Sequence, residues 1–341
     1  MPARSGPAGR RESTGKLPAA FYIIHSRSKA SPGARHKKSQ GIAPAEELRL
    51  RERPLTLPPR EAYFFRRAER RGLTAGYPHG KEVHTMNVLA IGDVVGSIGC
   101  RFLRQHLSTV KKLKGIDLVI VNGENSADGN GLTPASVQYL LDSGVDVVTS
   151  GNHSFRRRES YGLYDSCESL LRPANFPPLA PGRGVCIVDK GRIRIGVVNL
   201  MGVVYMESME SPFDAADRIL AEEHLPPVTL VDFHAEATGE KRSFAWYLDG
   251  RVSAVFGTHT HVQTADECVL PNGTGYISDL GMTGPVNSVL GVKPELVIQK
   301  MRTKMPVRFD LADGDCKICG AVFSIDEKSG KTLSVERLEI R

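Results

Sequence analysis

Residues 86–93, Met86-Asn-Val-Leu-Ala-Ile-Gly-Asp93, decide the reading of the fold: an apolar run of strand length stops at a glycine and then presents a carboxylate. Short apolar runs rich in branched side chains and bounded by glycine read as buried strands. Outward from it, residues 98–113 predict a helix, because Phe102, Leu103, His106, Leu107 and Val110 share one face at about 3.6 residues per turn. A strand at 118–121, a helix after Thr133 and a strand at 145–149 follow. That order implies βαβ units and a sheet covered by helices. Further strands are expected at 193–199, 229–233, 252–256 and 275–278, and residues 319–340 read as two strands around a Lys328-Ser-Gly-Lys331 turn. No internal repeat is present.

The 341 residues are 40% hydrophobic and 24% charged, which suits one large domain or two small ones and excludes a miniprotein or a collagen-like chain. No run of about eighteen apolar residues occurs, so no membrane span is expected. Six scattered cysteines and no signal-type apolar segment point to reduced thiols and a cytoplasmic setting. The net charge of +7 suggests nucleic-acid binding until it is divided along the chain. Residues 1–85 hold 18 Lys and Arg against 7 Asp and Glu, whereas 86–341 hold 27 against 31, so the basic character belongs to the leader. Rich in Pro, Gly, Ser and Arg, residues 1–85 read as a disordered basic leader with at most a short helix near 61–71, because such a segment buries too little to offset its ordering entropy. A targeting segment, an RNA-binding arm and a start set upstream of Met86 are the readings of it. The folded domain is expected over 86–341.

Almost every strand of that domain ends in a side chain able to hold a metal. Asp93 follows the first, Glu124 and Asn125 the second, Asn152 and His153 the third, His234 a later one, and His259 and His261 another. In open α/β sheets the carboxyl ends of strands line the crevice where ligands bind, so five loops should converge there. An extended Gly257-Thr-His-Thr-His261 segment would send both rings to the same side. Carboxylate, amide and imidazole donors without thiolate suit iron, manganese or zinc, and exclude copper(I) and iron–sulfur clusters. The seven residues Asp93, Glu124, Asn125, Asn152, His234, His259 and His261 exceed one tetrahedral site and match two divalent ions sharing a carboxylate. With only Asp93 and Glu124 anionic, two such ions leave a positive surplus that attracts phosphate.

The rival readings are weaker. Gly92-Asp-Val-Val-Gly-Ser-Ile-Gly99 misses the dinucleotide glycine spacing, and Asp93 would sit where pyrophosphate belongs. Cys316 and Cys319 form a lone C-x-x-C that reads as neighbouring strand residues rather than a zinc or redox site. His106 and His224 read as structural. Asp279-Leu-Gly-Met-Thr-Gly-Pro285 reads either as a pocket wall offering backbone N–H groups or as an ordinary turn.

Six segments in order, Gly92-Asp-Val-Val-Gly96, Asn122-Gly-Glu-Asn125, Ser150-Gly-Asn-His153, Asp232-Phe-His-Ala-Glu-Ala-Thr238, Gly257-Thr-His-Thr-His261 and Asp279-Leu-Gly-Met-Thr-Gly284, resemble the calcineurin-like metallophosphoesterases, and among them the YmdB-type bacterial branch. The resemblance spans 86–341 and none of the leader. It implies an α/β/β/α two-sheet sandwich flanked by helices, with a dinuclear metal site at the strand C-terminal edge. Carried over, Asp93, Asn125 and His261 would hold one ion, Asn152, His234 and His259 the other, with Glu124 bridging and His153 free of both. Val95 replaces the histidine of the superfamily's Asp-x-His, and Glu124 replaces its bridging aspartate; the YmdB-type branch shares both departures. The implied reaction is phosphodiester hydrolysis, with 2′,3′-cyclic nucleotides as substrates, by in-line attack of a metal-bridging hydroxide with His153 as general acid. Self-association into a homo-oligomer is implied too. Competing functions are a non-catalytic RNA- or protein-binding regulator with structural metals, and a phosphomonoesterase or phosphoprotein phosphatase.

Overall fold

The computed structural model describes residues 84–341, so the leader lies outside the described residues apart from its last two positions. In chain order the elements are β1 (Thr85–Ile91), β2 (Asp93–Val94), α1 (Gly96–Lys114), β3 (Leu118–Asn122), α2 (Pro134–Asp142), β4 (Val147–Thr149) and α3 (Tyr161–Ser166). Next come β5 (Val185–Asp189), β6 (Arg194–Met201), α4 (Pro212–Glu222), β7 (Val228–His234), α5 (Thr238–Tyr247) and β8 (Ala254–Thr258). The chain closes with β9 (Cys268–Val269), β10 (Gly275–Ile277), β11 (Met282–Pro285), α6 (Pro294–Thr303), β12 (Cys316–Asp326) and β13 (Thr332–Ile340). One sheet runs β2-β11-β12-β1-β3-β4 with β13 beside β12, and the other runs β5-β6-β7-β8-β10-β9.

Alternation along the strands builds the layers. On β1, Met86, Val88 and Ala90 face inward and pack with Ile195, Val197, Leu230 and Phe256 of the second sheet. Leu89 and Ile91 face outward and meet Leu103, Leu107 and Val110 of α1 and Leu140 of α2. On the far side, Val198, Val231 and Val255 pack with Ile219 of α4 and Phe244 of α5. The result is the α/β/β/α sandwich that the family resemblance implied.

The helices start and stop where local chemistry dictates. α1 ends at Gly115, whose left-handed backbone (φ 58°) lets its N–H bond Lys111 O, with Lys111, Lys112 and Lys114 in the last turn against the dipole. α2 starts at Thr133 in a reciprocal capping box with Ser136 and has Pro134 at its first position. The parallel pairs β1–β3, β3–β4, β6–β7 and β7–β8 are in register so that their carboxyl ends lie along one edge. That register brings the loops after five strands together.

Three expectations change. Residues 282–285 form β11, paired with β2 and β12, because backbone bonding in a mixed sheet outweighs the glycine content of the segment. The region therefore does not offer free N–H groups as a pocket wall. The histidine segment is not extended: His259 (φ 102°) and His261 (φ 63°) take positive φ in a tight bend. The strand expected at 252–256 begins two residues later, at Ala254. Cys316 and Cys319 lie on β12 and, like the other four cysteines, are free thiols. His106 stacks on Phe102 on α1, and exposed His224 follows α4.

Candidate metal centre

Close approaches at the strand ends shape the centre. A Cβ on Gly92 would lie 1.9 Å from Gly281 O, and one on Gly151 would lie 2.1 Å from His234 Cδ2, so glycine is required where the backbone passes beneath the site. Asp93, Glu124 and His234 are buried, and Asn152, His153, His259 and His261 are partly buried. The structure brings all eight residues singled out in the sequence together.

Their contacts form one network. His234 Nε2 lies 2.9 Å from Asn152 Oδ1, 3.1 Å from His259 Nδ1 and 3.3 Å from Glu124 Oε1. His261 Nε2 lies 3.5 Å from Asp93 Oδ1 and 3.3 Å from Asn125 Nδ2. Glu124, at the centre, accepts the His153 backbone N–H at Oε2 (2.9 Å), and its Oε1 is 3.3 Å from His153 Nδ1. Asn125 turns its Oδ1 to His153 Nδ1 (2.9 Å) and its Nδ2 toward His261. A half-turn of that amide exchanges the two ends.

Each of three histidines is tethered by its outer nitrogen. His234 Nδ1 faces Thr258 Oγ1 at 2.9 Å, His259 Nε2 faces Glu236 Oε2 at 2.9 Å, and His261 Nδ1 faces Leu290 O at 3.1 Å. The Thr258 hydroxyl donates its own hydrogen to Asp232 Oδ1 (2.8 Å), so toward His234 it accepts. Glu236 Oε2 and Leu290 O can only accept from a neutral ring. In the neutral rings that a cation would bind, the outer nitrogens therefore carry the protons, which leaves the inner lone pairs for the shared space.

Electrostatics select positive charge there. Burial alone would raise Asp93, but His261 and His234 hold its carboxyl below the usual carboxylate range. Burial would likewise raise Glu124, and His234 pulls it down. Burial would lower His234, yet Glu124 and Asp93 push it up to about 9, and Asp93 raises His261 in the same way. Burial lowers His153, Glu124 notwithstanding. Among the described residues, Asp93 Oδ1 is a buried carboxylate oxygen with no hydrogen-bond partner. Glu124, His234 and His259 also offer three ligand atoms within 4.8 Å of one another. An orphaned anionic oxygen and converging imidazole lone pairs are the donor set that divalent cations require, so the residues fit the metals the sequence implies.

Reasoning from sequence missed the residues that support this set. Asp232, pushed up to about 6 by burial, accepts from Thr149, Thr258 and Asn122 beneath His234. Lys241 and Asp279, both buried, form a 2.7 Å pair. Lys241 also bonds Thr258 O, and Asp279 Oδ2 takes the Thr260 N–H at 3.1 Å, which braces the strained His259 bend. Asp232 and Asp279 open two of the six segments that carry the resemblance, which is the signal that could have found them, whereas Lys241 has none beyond following the His234 segment. A cleft of about 510 Å³ opens over the centre, lined by Glu124, Asn125, His153, Glu236, His259 and His261.

A family model described as YmdB-like protein matches residues 89–338. The chain is 43% identical over 256 residues to the 2′,3′-cyclic-nucleotide 2′-phosphodiesterase of Bacillus subtilis, covering 75% of this chain and 97% of that protein. It is 32% identical to a putative phosphatase/phosphodiesterase of Mycoplasma pneumoniae, over 76% of this chain and 94% of the relative. A solved hypothetical protein from Thermus thermophilus superposes with a TM-score of 0.71 at 40% identity, covering 75% of this chain and 99% of that one.

Proposed function

The chain belongs to the YmdB-like family, and on that premise we propose that residues 86–341 are a dinuclear-metal phosphodiesterase that hydrolyses 2′,3′-cyclic nucleotides. The observation carrying this reading is the set of three histidines whose tethered outer nitrogens turn their inner lone pairs onto two buried carboxylates at one strand edge. Asp93, Asn125 and His261 would hold one ion and Asn152, His234 and His259 the other, with Glu124 between them. Iron or manganese is the pair of metals this oxygen- and nitrogen-only set favours, and zinc also fits. When bound, two divalent ions supply charge neutralisation for phosphoryl oxygens and a nucleophilic water at neutral pH.

The chain's own residues do the rest. His153 is fixed through its backbone N–H to Glu124 and through Nδ1 to Asn125, which leaves Nε2 as the ring atom free to meet substrate in the cleft. Protonated there, it hands its proton to the departing ribose oxygen. The relative's name points to the O2′ ester as the bond cut. Metal analysis of the purified protein should give two ions per chain. Phosphorus NMR of the product from 2′,3′-cyclic AMP should show the 3′-phosphate; absence of hydrolysis with manganese or iron(II) added would remove the reading.

The reduced thiols support a cytoplasmic setting, and among the described residues no helix is long and apolar enough to cross a membrane. Self-association is part of the same reading. It is supported by α6, which buries none of its residues and exposes Ile298 and Met301.

A further inference from the structure

A second cavity, of about 880 Å³, is walled in part by the loop that carries Asn152 and follows on from His153. Asn152 is a wall of it, and the same side chain stands 2.9 Å from His234 Nε2 at the metal centre. Phe155 and Arg156, which follow His153 directly, line it as well, so one short loop separates the site of chemistry from this space. Phe176 and Met209 also line it, and the Phe155 and Phe176 rings meet edge-on with centroids 5.6 Å apart. Arg172, only 7% exposed, is held by the carbonyls of Pro173, Ala180 and Pro181 and has no ion-pair partner among the described residues. Its charge is therefore fixed in position, and the same lining adds Arg156 and Arg218 against Glu207 and Glu210, with Arg218 paired to Glu210 at 3.0 Å, which leaves three guanidinium groups facing two carboxylates.

Aromatic and methionine walls beside a guanidinium that no ion pair engages are what a nucleobase joined to an anionic ribose phosphate needs. Rings stack on the base face, soft methionine fills irregular space, and positive charge favours the anion. The cleft above the metal-binding residues is less suited: its one aromatic ring, Phe309, already carries Lys300 Nζ 4.8 Å from its centre. Building on the phosphodiesterase reading, we propose that this second cavity is the nucleoside pocket, with the substrate's base against Phe176 and Met209 and the phosphate reaching past Asn152 to the metal centre.

The test uses Phe176→Ala and Met209→Ala in the full chain, on two substrates: 2′,3′-cyclic AMP and base-free ribose 2′,3′-cyclic phosphate. KM for the nucleotide should rise about tenfold or more in each variant, from loss of a stacking contact, with kcat held within about twofold. The base-free substrate should be unaffected. Equal losses on both substrates, no loss on either, or a base-dependent loss in Phe309→Ala instead would overturn the proposal. Saturation-transfer NMR of 2′,3′-cyclic AMP on metal-free protein separates this idea from the catalytic one. The adenine H2 and H8 protons should be saturated in the parent and not in Phe176→Ala. That pattern in a protein that hydrolyses neither substrate would leave the pocket standing and remove the phosphodiesterase reading; a parent that turns over 2′,3′-cyclic AMP without saturating the base would do the reverse.

Discussion

Thr258 Oγ1 sits 2.9 Å from His234 Nδ1, at the end of β8 where Thr258 is the direct register partner of His234 on β7. Because the hydroxyl gives its hydrogen to Asp232, it fixes which nitrogen of His234 carries the proton. Thr258→Val keeps the volume and removes that acceptor. Metal affinity, measured by competition with a chromophoric chelator, should fall roughly 10- to 100-fold while the fold persists. Unchanged affinity would show that the tether does not set the tautomer.

His153→Ala should retain both ions by elemental analysis and lose about 10²- to 10⁴-fold in kcat on an alkoxide leaving group. The loss should be much smaller for a p-nitrophenolate ester, whose leaving oxygen needs no proton. Metal loss equal to the activity loss would remove His153 from its assigned role.

Asp93→Ala and Glu124→Ala should behave differently, losing metal and turnover together. Chelation of the parent should lower its thermal midpoint, since an ion bound only by the folded state stabilises it by about 2.7 kcal/mol at a hundred times Kd. Calorimetry with and without chelator checks this, and the midpoint of Asp93→Ala should no longer respond to added metal.

Lys241→Met removes one partner of a buried ion pair and strands Asp279. Urea unfolding of the metal-free proteins should show a loss of about 3 kcal/mol or more, with part of it recovered in Lys241→Met combined with Asp279→Leu. The single variant should also bind metal more weakly, because the bend at His259 loses its brace.

Removing residues 1–85 should leave metal content and hydrolysis of 2′,3′-cyclic nucleotides intact. If the leader is an RNA-binding arm, the salt dependence of RNA binding should disappear with it, since the remaining residues carry 27 basic against 31 acidic side chains. Filter binding across a salt series measures this, and an unchanged slope would place any RNA contact in the domain.

The order of strands and helices and the identity of the candidate ligands were legible in the sequence because both depend on local pattern, whereas the two-sheet layering was implied by the family resemblance alone. Strand alternation, a helical face and a metal-capable side chain after each strand can be read residue by residue, and Asp93, Glu124, His234 and His261 do meet. What lay beyond the sequence depends on register and on contacts between distant segments. Nothing local pairs Lys241 with Asp279, places Thr258 between Asp232 and His234, or forces positive φ on His259; tertiary packing imposes these through buried bonds that outweigh local preference. The Met282-Thr-Gly-Pro285 stretch, with a glycine and a proline in four residues, became a strand for the same reason: β2 and β12 supply the backbone partners that the segment cannot supply itself.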